Sequence, residues 1–175
     1  MEKTVKRTKF GQFMYNLVLK CGMALCKARF FYYLLNLTWG LFLVIIGWFV
    51  ALAMLISGHK PIWYNGIIYF ETKKENWGGF SIGMVFVVCG NSSSLTLRHE
   101  MGHTYQNAIL GPFMLFLVSI PSMIRYWIRE GMHKKGIQPK TNYDDIWFEE
   151  SASDLGYSIV EYVTSKKEAK KNEDK

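Results

Sequence analysis

Residues 30–58 contain no charged side chain, and the centre of that run, 41–56, is close to uniformly apolar. A run of this length exceeds the roughly 20 residues needed to cross a bilayer, and Tyr32, Tyr33 and Trp63 stand where interfacial aromatic residues belong. The pattern predicts a retained transmembrane helix over 34–58. It starts too late and runs too long for an ordinary cleaved signal peptide. Ahead of it, Phe10, Phe13, Met14, Leu17 and Cys21 fall at helical spacing, while Lys9, Lys20 and Lys27 interrupt the other faces. That stretch either lies in the plane of a membrane surface or docks on the protein's own core.

Beyond the apolar run the period changes. Ile67 to Phe70 and residues 80–88 are rich in branched and aromatic side chains and flank a polar turn at 71–79, which predicts a β-hairpin. Asn91, Ser92, Ser93 and Ser94 offer N-caps for a helix that should end at Leu110, because Gly111-Pro112 is a stop signal. Residues 113–128 are apolar but few, are broken by Pro121 and carry Arg125. They predict a bent, membrane-associated helix pair rather than a crossing. A polar loop over 129–142 leads to a last helix from Asp144 or Asp145 to about Val163, and 166–175 reads as a disordered charged tail. The expected organisation is a mainly α integral membrane protein, with an arm at 1–33, a span at 34–58, a domain at 59–165 and the tail.

Composition supports that picture. Half of the 175 residues are hydrophobic and 16% are aromatic, high for a small water-soluble chain. The net charge of +7 is unevenly spread, with seven Lys or Arg and a single acid, Glu2, before residue 30. A basic arm beside an apolar run favours anionic lipid headgroups over nucleic acid as the partner. It also predicts a cytoplasmic N-terminus with the remaining domain across the membrane. Cys21, Cys26 and Cys89 have neither a disulfide framework nor zinc-ribbon spacing. They read as small buried thiols, although Cys21 and Cys26 stand where lipidation also occurs.

The chemistry concentrates in one helical turn, His99-Glu100-Met101-Gly102-His103. Histidines four residues apart share a helical face and can chelate one zinc ion, and the glutamate between them can take a proton from a zinc-bound water. A catalytic zinc takes three protein ligands, so a carboxylate from a later helix is expected. In Phe148-Glu149-Glu150-Ser151-Ala152-Ser153-Asp154, Glu150 and Asp154 lie four apart, with Tyr157 and Glu161 continuing their face. Phe148, Ala152, Leu155 and Ile159 form the opposite, core-facing stripe. Glu150 is then the third ligand and Asp154 orients a histidine ring, with Glu149 in reserve if the helix phase differs. His59 and His133 read as polar loop residues.

His-Glu-x-x-His followed by Glu-x-x-x-Asp resembles the gluzincin class of zinc metallopeptidases. The longer string from Arg98 to Gln106, followed by Leu110-Gly111-Pro112, also resembles small bacterial membrane proteins of unassigned function. The first resemblance implies a zincin-like region with His99, His103 and Glu150 as zinc ligands, Glu100 as general base and acid, and Asp154 holding a ligand histidine in orientation. It implies a peptide or protein substrate and an oxyanion-binding His or Tyr, for which Tyr157, Tyr143 and His133 are candidates. The second implies the bacterial cell membrane. Intramembrane site-2 proteases are disfavoured, since no Leu-Asp-Gly or Asn-Pro-Asp-Gly follows. The expectation is a membrane-anchored zinc hydrolase, with a non-catalytic zinc-binding scaffold or sensor as the alternative.

Overall fold

A computed structural model of the chain describes residues 7–75 and 77–173. Six α-helices occur among them: α1 (Lys9–Lys27), α2 (Arg29–Leu37), α3 (Leu41–Ile56), α4 (Ser94–Leu110), α5 (Ile120–Lys134) and α6 (Trp147–Glu173). Four strands lie between α3 and α4: β1 (Ile62–Tyr64), β2 (Ile67–Thr72), β3 (Gly79–Ile82) and β4 (Val85–Cys89). A π-helical turn, Leu115–Ser119, runs directly into α5.

The sheet is sandwiched between helices. Its order is β1-β2-β4-β3, and every residue of β4 is buried. Alternation sends Phe86 and Val88 toward Met101 and Tyr105 of α4, while Val85 and Val87 pack under Val50, Ala51 and Met54 of α3. Behind α4 lies α6, whose Leu155 and Ile159 meet Val18 and Leu25 of α1 in the same core. The stripe Phe148, Ala152, Leu155, Ile159 is buried, as its spacing requires. Of the two placements open to the amphipathic stretch, α1 packs along α6. Lys3 and Lys6 lie outside the described residues.

The expected integral membrane fold with one transmembrane helix is not found. No single helix among the described residues is long and apolar enough to cross a membrane. The uncharged run is divided into α2 and α3, whose axes differ by 90°. With 16 residues, α3 is about 24 Å long, short of the ~30 Å hydrocarbon core. The break has a polar cause. Asn36, in the middle of the apolar run, is fully buried and accepts from Asn107 Nδ2 of α4 at 2.7 Å. The same amide lies 3.4 Å from the carbonyl of Gly40, where a Cβ would come within 2.6 Å of it. An amide clasp thus holds the corner at 38–40 against α4.

The expected hairpin is also different. Gly83-Met84 turns residues 79–89 into the antiparallel pair β3–β4, and β2 joins β4 in parallel, Phe70 opposite Val87. The helix expected to end at Leu110 does so, with Ser93 as N-cap accepting from the Thr96 N–H. Pro121 sits in the first turn of α5, directly after the π-helical turn, so its missing N–H falls where the regular α-helical ladder is already interrupted. α5 continues to Lys134 through residues expected to be loop, and α6 runs on to Glu173.

Candidate metal centre

The site is built where α4 and α6 touch. Gly102 faces the carbonyl of Ala152, and a Cβ on it would lie 2.0 Å from that oxygen. Gly156 faces the carbonyl of Arg98 in the same way, at 1.9 Å. These two glycines let the helix backbones meet directly, which brings the histidine face of α4 onto the first turns of α6. Gln106 then fastens the pair, donating to Phe148 O at 2.7 Å and to Ser151 Oγ at 2.9 Å.

His99, His103 and Glu149 converge and could hold a metal ion. His99 Nε2 and His103 Nε2 are 3.1 Å apart, and Glu149 Oε2 lies 3.2 Å from the first and 3.3 Å from the second. Ligand atoms bonded to one tetrahedral metal at about 2.0 Å stand about 3.3 Å from one another. The triangle therefore has the edge length of a coordination face. Glu149 is fully buried, and neither of its carboxylate oxygens meets a donor with hydrogen-bond geometry. A buried anion left in that state calls for a cation.

The ring orientations are set from behind. His99 Nδ1 lies 2.8 Å from Ser153 Oγ, and His103 Nδ1 lies 2.7 Å from Gln106 Oε1. The Gln106 oxygen can only accept, so His103 carries its proton on Nδ1 and presents Nε2 as a lone pair. Without a metal, protons take the cation's part. Burial lowers the His103 pKa, but the adjoining Glu149 carboxylate outweighs it and the value is raised to about 9. Burial likewise pushes Glu149 up, yet the two imidazoles hold it well below the usual carboxylate range.

Two of the expected site residues stand elsewhere. Glu150 is not at the centre: both its oxygens are engaged by Arg7, just ahead of α1, in a forked ion pair that includes a 2.7 Å bond from Arg7 Nε. Asp154 is exposed and accepts from Tyr15 Oη at 2.5 Å, so the orienting partner of His99 is Ser153 instead. The physical reason is helical phase. At 100° per residue, Glu150 lies about 170° from the centre of the buried stripe and Glu149 about 90°, on the flank that turns toward α4. The reserve residue is the one the fold brings to the histidines. Gln106 closes the string from Arg98 that the sequence singles out, but the motif gives it no role, and Ser153 is picked out only by its place on the side of α6 that faces α4.

Glu100 is buried beside this centre. Its Oε2 accepts from Ser81 Oγ of β3 at 2.5 Å. Glu100, the two histidines and Glu149 line one cleft of about 860 Å³, bounded by β3, the π-helical turn and α5. Tyr143 is on its wall, with its hydroxyl 3.0 Å from Ser122 Oγ. Burial, and then the negative charge of Glu149, push that phenol well above its ordinary pKa, so it stays protonated. Tyr157 is exposed beneath the Arg98 guanidinium, and His133 is in the last turn of α5, away from the cleft lining. Comparison with protein-family models, with curated proteins and with solved structures finds no match for this chain.

Proposed function

We propose that the protein is a zinc-dependent hydrolase, with His99, His103 and Glu149 as the ligands and a peptide as the substrate. The observation that carries this reading is the fully buried Glu149 carboxylate set at ligand distance from two imidazoles. Two histidines and one carboxylate suit zinc and leave a position open toward the cleft. Zinc held there would polarise a substrate carbonyl and lower the pKa of water.

The chain's own groups do the rest. Glu100 takes the proton of the attacking water and returns it to the leaving amine, with Ser81 holding its carboxylate against β3. Tyr143, protonated and on the cleft wall, is the group placed to donate to the carbonyl oxygen as charge develops there. β3 is the terminal strand of the sheet and lines the cleft, which suits an extended peptide added along its outer edge.

The test is elemental analysis together with digestion of a quenched-fluorescent peptide library. Wild type is expected to carry about one zinc per chain and Glu149→Ala none, while Glu100→Gln keeps its zinc and loses cleavage. Full metal content in Glu149→Ala overturns the ligand assignment. Zinc bound by wild type without cleavage of any library member overturns the hydrolase and leaves a metal-binding scaffold.

A further inference from the structure

The corner formed by α2 and α3 has a surface that the metal centre does not explain. The half of α3 turned outward carries nine exposed residues, all apolar, among them Phe42, Ile45, Trp48, Phe49, Leu52 and Ile56. A helix on a water-facing surface normally puts charged or polar side chains there. On α2, Phe30, Phe31, Leu34 and Leu37 extend the exposure, and Trp39 at the bend packs on Phe113, also exposed, 6.0 Å between ring centroids.

The buried polar groups of this segment are turned inward. Tyr32 Oη donates to Thr104 Oγ1 and Tyr33 Oη to Gly66 O, while Asn36 Nδ2 donates to Tyr32 O. The two exposed hydroxyls are spent on their own helices: Thr38 Oγ1 donates to Leu34 O at 2.7 Å and Ser57 Oγ to Ala53 O at 2.8 Å. Every hydroxyl and side-chain amide of residues 30–58 is thus engaged inside the protein. Protein interfaces carry about one hydrogen bond per 100–200 Å², and the outer face of α3 offers only the indole N–H of Trp48 for that purpose. Hydrocarbon asks for none.

Charge points to the same partner. Between Glu2 and Glu71 the sequence holds eight Lys or Arg and no acid. Lys27 ahead of α2 and Lys60 after α3 bracket the apolar corner, and both are exposed. We infer that the α2–α3 corner seats on an anionic lipid surface, sinking its outer face into one leaflet without crossing it. This inference does not depend on the metal, and its failure would leave the hydrolase reading standing.

The experiment is flotation of the full chain with phosphatidylcholine vesicles, with and without phosphatidylglycerol, alongside sedimentation in vesicle-free buffer. Wild type is expected to float, more strongly with the anionic vesicles and less at high salt. Phe49→Asp and Leu52→Asp, both at exposed positions, should each weaken partitioning about tenfold while leaving circular dichroism and melting unchanged. Brominated lipid should quench tryptophan emission in wild type, and much less in Trp48→Phe. Wild type that stays with the lipid-free fraction for both compositions overturns the proposal. So does a discrete dimer in buffer that Phe49→Asp dissolves while vesicles bind nothing, which would assign the face to a second copy of the chain.

Discussion

Two adjacent glutamates on one helix do opposite jobs, and a single residue step separates them. Glu149 is buried among imidazoles, whereas Glu150 is held by Arg7 at the start of α1. Glu150→Ala is therefore expected to keep full metal content and to lose about 1 kcal/mol of stability in chemical denaturation, with Arg7→Ala adding little on top. A metal-free Glu150→Ala protein would reverse the assignment of the two. The His103–Glu149 pair also makes a pH prediction for chelator-treated protein. The folded pKa of His103, about 9, lies above its ordinary 6.5. The raised value stabilises the fold fully below pH 6.5, and that contribution disappears as pH rises through about 9. Melting temperature in EDTA should fall across that interval, and a flat profile would contradict the pairing. Metal needs the unprotonated ring, so zinc affinity should rise over the same interval, with proton release visible by calorimetry in two buffers.

Among the elements, the contact of α4 with α6 carries the site, because the ligands come from both. Gly102 and Gly156 set its spacing, each against a backbone carbonyl that cannot swing aside. Gly102→Ala is expected to cost about 3 kcal/mol, since the helices must part to admit one methyl. Parting them also moves Glu149 from the histidines, so zinc affinity should drop together with stability. A variant that loses stability but binds zinc as tightly as wild type would show that the spacing does not set the ligand geometry. The π-helical turn at Leu115–Ser119 belongs to the same framework: Met114, Val118 and Leu43 of α3 pack together beside Leu110 and wall the cleft.

For the whole molecule, the proposed metal binding would be linked to folding, because His103 and Glu149 lie 46 residues apart and meet only when folded. If the metal is the proposed zinc, a thousandfold excess over its dissociation constant would add about 4 kcal/mol, worth about 10 °C in melting temperature for a chain of this length. Chelation should remove that increment from wild type and from Glu100→Gln alike. It should change nothing in Glu149→Ala. Equal melting of wild type with and without chelator would remove zinc from the account of this fold.

What the sequence determined by itself was local. A cap among Asn91 to Ser94, the stop after Leu110, the shared face of His99 and His103, and the buried stripe of α6 each depend on residues within a turn or two, so spacing and cap chemistry suffice. The tertiary structure decided everything that depends on distant partners. Asn107, some 70 residues along the chain from Asn36 and Gly40, bends the apolar run that hydropathy alone reads as one span. β4 draws β2 into parallel pairing because both of its faces are covered by helices. Glu149 rather than Glu150 reaches the histidines because two glycines bring α6 against α4 with that flank turned inward, a rotation that no local pattern of carboxylates encodes.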